Sequence, residues 1–339
     1  VKIVGHQEPI LPIQELYPTI GPCQNLQPLG SGGGFSGARL WRFTGQNRTY
    51  CLRRWPSGAV DSEKLSFIHG ILRTAFDKGV HEVPCPLSRM DGVTWVQFYK
   101  HYWEITPWMP GVADYRFDPR PEKLKAALAW LARFHRVTQP TRLARGHTKS
   151  IAERAKLLHT LACGEVETIA RQITQVNWAD FASLAQRVLL AFQRDASAVA
   201  RLLSEAADIP VPLQPCIRDI WHDHVLFEGD SVSGVVDFGA LRADECVAAD
   251  IARLLGSLVA DVEEGWRVGL DAYSAVRPLD ANERRLVIVF DTSSVLLSGM
   301  NWLRWICLEK RQFDNPQAVV GRLEGIVSRL ERPRRIVLE

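Results

Sequence analysis

The stretch CIRDIWHDHVLFEGDSVSGVVDFG, Cys216 to Gly239, decides how the rest of the chain is read. Asp219 follows Arg218, and His224 stands five residues further on. A short apolar run, Val225 to Phe227, leads into a turn at Glu228-Gly229-Asp230. A second apolar run, Gly234 to Val236, delivers Asp237-Phe238-Gly239. The pattern predicts a loop, a strand, a tight turn and a strand that ends on a carboxylate. A hairpin of that kind returns the chain to its starting edge, so Asp219, His224 and Asp237 are expected close together.

Three such groups suit the transfer of a phosphoryl group. One carboxylate orients and deprotonates an acceptor hydroxyl, and two further side chains hold a metal. Working outward, a glycine run lies upstream at Gly30-Ser-Gly-Gly-Gly-Phe-Ser-Gly37. It contains G-x-G-x-x-G at Gly32, Gly34 and Gly37, a weak pattern alone. A dinucleotide-binding turn needs a helix directly after it. Here Ala38 to Phe43 alternates as a strand does, then Gly45-Gln-Asn47 turns, and Thr49 to Arg53 reads as a second strand. A glycine-rich hairpin whose backbone N–H groups approach phosphates fits better. An ordinary flexible hairpin has the same composition. Arg53 is the cation expected at the phosphates, and Glu63, in the first turn of a helix from Asp61 to Lys78, is its expected partner.

Thr94 to Phe98 and Tyr102 to Thr106 read as two more strands. Pro107-Trp-Met-Pro-Gly111 then forms a punctuated linker. Pro107 offers a carbonyl without an N–H, and Met109 offers an N–H, which suits an adenine edge. Beyond it the pattern turns helical: Glu122 to Val137, Ile151 to Ile173, Phe181 to Ala206, a helix opened by Asp250-Ile-Ala252, Asn282 to Leu308 and Ala318 to Leu330. His135 reads as a packed histidine, and Trp302 and Trp305 as one face of a helix. The expected division is a β-rich lobe over 1–109 and a helical lobe over 110–339.

Composition adds exclusions. With 41 basic and 38 acidic residues, scattered rather than striped, charge makes no case for nucleic acid. Seven dispersed cysteines without a Cys-x-x-Cys pair favour free thiols. The hydrophobic share of 46% supports a sizeable core. No run reaches the roughly 18 apolar residues of a membrane span. The first twenty residues carry prolines and charges rather than a leader's apolar stretch. A cytoplasmic chain acting without a membrane is the expectation.

In the order and spacing of these motifs, from about Leu29 to Leu255, the chain resembles the aminoglycoside phosphotransferase/choline kinase-like superfamily of small-molecule kinases. That family's His-Gly-Asp, four residues, Asn is matched by Ile217-Arg218-Asp219, four residues, His224. Its metal-binding Asp-Phe-Gly is matched at Asp237, its Asp-Leu-Ala at Asp250-Ile-Ala252, its hinge at Pro110-Gly111, and its phosphate cation at Leu52-Arg53. Ser36-Gly37-Ala38 is also similar. The resemblance implies an α+β, protein-kinase-like two-lobe fold: an antiparallel N-terminal sheet lobe and a mainly helical C-terminal lobe. It implies ATP and Mg²⁺, or Mn²⁺, as cofactors and a small-molecule acceptor as partner. Asp219 would be the catalytic base, with His224 and Asp237 on the metal. Gly30, Gly32, Gly33, Gly34, Ser36, Arg53, Glu63, Pro107 and Met109 would surround the nucleotide. Ten residues between Gly239 and Asp250 leave no long activation segment, so the likeness is not to protein kinases.

Three positions depart from the family: Ile217-Arg218 for His-Gly, His224 for Asn, and Arg53 for the commoner Lys. A neutral imidazole favours Mn²⁺ over Mg²⁺. The departures keep open a catalytically degenerate nucleotide-binding regulator, and a metal-dependent hydrolase is a third alternative. The acidic cluster Asp261, Glu263, Glu264 either meets a cationic acceptor or faces water.

Overall fold

The computed structural model describes residues 13, 15–30, 37–46, 48–313 and 315–332. By its contacts the chain divides into two compact units: Val1–Val112 with Leu226–Glu228 and Val232–Val236, and Ala113–Val225 with Gly229–Ser231 and Asp237–Glu339.

The first unit holds β1 (Gln24–Gly30), β2 (Arg39–Gly45), β3 (Arg48–Arg54), α1 (Ser62–Asp77), β4 (Val96–Phe98) and β5 (His101–Pro107). The strands form one sheet in the order β1-β2-β3-β5-β4, every neighbouring pair antiparallel. Alternation along β2 and β3 turns Trp41, Phe43, Tyr50 and Leu52 to one face, where Trp103 and Ile105 of β5 join them. Trp41 stacks on Trp103 and Phe43 on Tyr50, each with ring centroids 5.5 Å apart. Ile13, Tyr17 and Ile20 complete this core. Helix α1 starts where Asp61 accepts the Lys64 N–H at 2.8 Å. It buries Leu65, Ile68, His69, Leu72 and Ala75, one stripe at helical spacing.

The expected hairpin appears further along as β8 (Val225–Glu228) and β9 (Ser231–Val235), and most of it belongs to the first unit. Val112 and Phe227 exchange backbone hydrogen bonds at 3.1 and 2.9 Å, Ser233 Oγ donates to the Pro110 carbonyl, and the Val235 N–H donates to the Glu82 carbonyl. The expected boundary between 109 and 110 therefore moves in two ways. The first unit runs on to Val112, and it reclaims a hairpin more than a hundred residues downstream, because these backbone bonds are non-local.

The second unit carries α2 (Pro121–Thr138), β6 (Ala144–Gly146), α3 (Lys149–Thr160), α4 (Val166–Gln172), α5 (Phe181–Ala206), β7 (Val211–Cys216), β10 (Arg242–Glu245), α6 (Ala248–Leu258), α7 (Glu263–Ser274), α8 (Ala281–Leu303) and α9 (Pro316–Leu330). Helix α2 packs on α7, and α8 packs on α5, α6 and α9. The expected single helix from Ile151 to Ile173 is broken: Cys163 and Gly164 leave helical dihedrals, and Gly164 reaches φ +126°. A small antiparallel sheet, β10-β7-β6, was not apparent from the sequence. Its strands are three to six residues long, too short for a periodic signal. The stretch Ala281–Leu308 is long and apolar enough to cross a membrane by length and composition. It is mostly buried among the other helices, and it carries Asp291 and Arg304 in ion pairs, as a core helix does.

Gly111 sits at φ +88°, and a Cβ there would lie 2.1 Å from Ser233 Oγ and 2.7 Å from the Phe227 carbonyl oxygen. Gly229, in the hairpin turn at φ +60°, has open space around it. We expect Gly229→Ala to cost about 1 kcal/mol, the strain of a left-handed residue alone. Gly111→Ala should cost at least about 2 kcal/mol, since overpacking adds to that strain. Urea unfolding of the two variants checks the order, and equal losses would refute the close approach at Gly111.

Candidate active site

The second unit builds its site on a buried carboxylate. Asp250, in the first turn of α6, is fully buried. Its two oxygens accept the backbone N–H of Ile217 at 2.7 Å and of Arg218 at 2.5 Å. His135 Nε2 lies 3.0 Å from the same carboxylate, and Tyr273 Oη lies 2.8 Å from His135 Nδ1. Burial pushes the His135 imidazole below its ordinary value despite the neighbouring Asp250 charge. A neutral ring donates from Nε2 to Asp250 and accepts the tyrosine proton at Nδ1. His135 is thus a packed histidine, as its sequence position predicts. Cys216 completes a cluster of three groups of metal-ligand type. Burial raises its thiol well above the ordinary value, which opposes the thiolate that a metal needs, and the Asp250 oxygens are already engaged.

This clamp sets the backbone that presents Asp219. Arg218 takes φ +68°. The family's glycine adopts that conformation freely, while an arginine is strained in it. The side chain of Asp219 is 54% exposed. Its Oδ1 accepts from Arg253 Nη2 at 2.9 Å and from Nε at 3.3 Å. Arg253 stands three residues after Asp250 on α6, so one helix holds both the loop backbone and the exposed carboxylate.

His224 closes the loop across itself. Its Nδ1 lies 2.9 Å from the Asp219 carbonyl, and the Trp221 indole N–H donates to its Nε2 at 2.7 Å. Burial lowers its pKa below the ordinary value against the pull of Asp237 and Asp219, so the ring is neutral at pH 7. The proton therefore sits on Nδ1, and the single lone pair on Nε2 is committed to Trp221. The lone pair that the expected metal role of His224 requires is thus the one that accepts from Trp221 in this arrangement. Asp237 does stand beside it, with Oδ2 3.9 Å from Nε2. Its half-exposed carboxylate is an oxygen donor of the kind Mg²⁺ takes.

In the first unit, β1 and β2 pair antiparallel on either side of the glycine run, with Gly30 opposite Leu40. This is a strand-to-strand connection, not a strand-to-helix turn. Gly30 is at φ +62°, whereas Gly32, Gly33, Gly34 and Ser36 lie outside the described residues. Pro107 ends β5 opposite Tyr50, and the Met109 side chain is buried against Gly234.

Glu63 is exposed in the first turn of α1, and Glu104 is the cross-strand neighbour of Arg53 on β5. Glu104 is buried, which opposes its ionisation. The hydrogen bond from His69 and the charges of His69 and Arg53 outweigh burial and hold it below the usual carboxylate range. His69 Nε2 lies 2.6 Å from Glu104, and its Nδ1 lies 2.6 Å from Thr94 Oγ1. The Arg53 guanidinium lies 3.8 Å from the centre of the Trp55 ring. Sequence reasoning missed Glu104, His69, Arg253 and Trp221. The i, i+3 spacing of Asp250 and Arg253 was the available signal for one of them. The others meet only through the fold.

Taken unit by unit, this is an α+β architecture of protein-kinase-like type, an antiparallel sheet lobe and a helical lobe with a catalytic-type loop. The model of the phosphotransferase enzyme family matches residues 26–286, and the chain belongs to that family. No curated protein matches the sequence at a significant level. Among solved structures, an aminoglycoside phosphotransferase from Alicyclobacillus acidocaldarius is similar at 18% identity and TM-score 0.57, over 95% of this chain and 98% of that one. Spectinomycin phosphotransferase APH(9)-Ia, in complex with ADP and spectinomycin, is similar at 15% identity and TM-score 0.58, over 95% and 98%. The amicoumacin kinase hAmiN, in complex with AMP-PNP, Ca²⁺ and Ami, is similar at 14% identity and TM-score 0.61, over 96% and 94%. At these identities the likeness is one of fold.

Two expectations follow. Arg218→Gly and Arg218→Ala both lose the guanidinium, but only glycine relieves the left-handed strain. The glycine variant should be the more stable by about 1 kcal/mol, and an alanine variant of equal thermal stability would remove strain from the account. The second concerns pH. Burial pushes His222 down to about 4, with Arg322 and Arg116 adding to the effect and Asp223 opposing it. Between an unfolded value near 6.5 and that folded value, the unfolded chain binds more protons, so stability falls as pH falls. His222→Gln should recover roughly 2–3 kcal/mol of the loss between pH 7 and pH 4.5. Urea titrations that decline in parallel for variant and parent would exclude this role.

Proposed function

We propose that the chain transfers the γ-phosphoryl group of ATP to a hydroxyl of a small-molecule acceptor. The observation that carries this reading is the exposed Asp219 carboxylate, oriented by Arg253 on a loop whose backbone is clamped by buried Asp250. The acceptor oxygen attacks the γ-phosphorus while its proton passes to Asp219. The bond from that phosphorus to the bridging oxygen breaks, and ADP leaves with the electron pair. Arg53, oriented by Glu104, and the glycine run after Gly30 bind the phosphates, and the Pro107 carbonyl and Met109 N–H face the adenine. Asp237 is the residue that would hold a divalent metal, which when bound neutralises phosphate charge. His224 fits that metal only after releasing Trp221. It acts on the loop by tying Trp221 to the Asp219 carbonyl. The similar structures in complex with ADP and with AMP-PNP and Ca²⁺ support the nucleotide part of the reading. Seven free cysteines suit a reducing, cytoplasmic setting.

The committed lone pair of His224 favours one second reading, a nucleotide-binding member of the family that does not turn over. Asp219→Asn separates the two. On the first reading, acceptor-stimulated ADP release falls by about 10²-fold or more, while calorimetric Mg·ATP binding persists, since the base acts on the acceptor. A loss smaller than about tenfold would remove Asp219 as the base. Undiminished nucleotide binding without ADP release from the parent, over a broad acceptor screen, would establish the regulator.

A further inference from the structure

Around the loop that carries Asp219, the helical unit has more guanidinium groups than carboxylates. Arg253 pairs with Asp219 itself. Arg322 lies with its guanidinium carbon 3.1 Å from the centre of the Trp221 ring, and 3.4 Å from Asp223. Arg218 and Arg242 share one carboxylate, Glu153, at 3.3 and 2.6 Å. Arg154 donates to neutral groups, the Phe290 carbonyl and the hydroxyls of Ser293 and Ser294. Arg116 is exposed, with no ion pair among the described residues. Six arginines thus stand against four carboxylates, Glu153, Asp219, Asp223 and Asp237, the last of them the oxygen donor suited to a metal.

The cations also act on one another. Arg322 is pushed down to about 10, by burial first and then by Arg253 and Arg116 against the pull of Asp223 and Asp219. Arg154 is pushed down to about 10 by burial and by the charges of Arg218 and Arg253, against Glu245 and Asp291. Those last two carboxylates are buried and engaged elsewhere, Glu245 by Thr148 and Asp291 by Arg329. Two of the three acids in the cluster that offered a seat for a cationic acceptor are paired as well, and the third, Glu263, is exposed. Asp261 is held by Arg329 at 2.8 Å, and Glu264 by Arg267.

We infer that the acceptor is an anion, a hydroxylated compound carrying a carboxylate or a phosphate ester, and that Arg322 and Arg116 help to bind it. The inference rests on the phosphotransfer reading and names the substrate class of that site. A polycationic aminoglycoside would add charge to a surface where guanidinium groups already repel. An anion relieves that repulsion and gives Arg154 and Arg116 a charged partner. The half-exposed base stays accessible to the hydroxyl that such a compound presents.

The test uses the full chain with Mg·ATP and three sets of acceptors: gluconate, glycerate and ribose 5-phosphate; glucose and glycerol; kanamycin, spectinomycin and choline. ADP release is followed, and binding of each compound is measured by calorimetry at low and high salt. We expect stimulation and binding within the anionic set, weakening as salt rises. Arg322→Gln and Arg116→Gln should each raise the KM for the anion about tenfold, leaving the KM for ATP unmoved. Arg116 is exposed, so its variant tests the inference even if Arg322→Gln misfolds. Turnover with the cationic or neutral set alone overturns the inference and leaves phosphotransfer standing. Anion binding indifferent to both substitutions, or no anion binding, also overturns it. Absence of both nucleotide binding and ADP release removes the phosphotransfer reading itself.

Discussion

The buried carboxylate of Asp250 is the constraint on which the helical unit's site depends. A charge in an apolar interior is costly unless hydrogen bonds surround it. Here two consecutive backbone N–H groups and a neutral histidine supply them. Because the donors belong to Ile217 and Arg218, satisfying the carboxylate also fixes the loop that presents Asp219. Tyr273 on α7 and His135 on α2 are drawn into the same network, so three helices position one turn of backbone. The left-handed Arg218 is the visible cost. Its strain persists because the hydrogen bonds on its own N–H leave the loop no relaxed alternative.

The sheet unit sets a cation and an acid opposite one another within the sheet. A cation on β3 needs an acid to hold its orientation, and the helix that follows is one place to look. The chain instead sets Glu104 directly across the strand pair from Arg53 and uses the helix to contribute His69. Register in an antiparallel sheet fixes Arg53 and Glu104 on the same face. Burial then makes the pair dependent on His69, since an isolated Glu104 would favour its neutral form.

The departures around the catalytic-type loop have a common physical theme. Where the family pattern has a small glycine and an amide, this chain has groups that bond across the loop. Arg218 reaches Glu153, His224 bridges Trp221 and the Asp219 carbonyl, and Trp221 carries Arg322 on its face. The loop is built from aromatic and guanidinium contacts.

Much of the fold was legible in the residues because it is local. Alternation marked β2 and β3, Asp61 marked the start of α1, and the glycine run followed by a strand excluded the dinucleotide turn. The spacing from Asp219 through the hairpin to Asp237 placed three site residues together, since a two-strand return has one geometry. What only the tertiary structure decided was non-local. Glu104 stands opposite Arg53 because strand register joins residues fifty apart, while Glu63 in its first turn is exposed to solvent. His224 lost its expected freedom to an indole whose N–H needed an acceptor. The hairpin left its sequence neighbours for the first unit through bonds to Pro110, Val112 and Glu82. The short sheet of β6, β7 and β10 is held by pairing across gaps that no window of sequence spans. Side chains declare their periodicity along a chain, but hydrogen-bond partners and charges are chosen in space, where desolvation decides which of the available groups must pair.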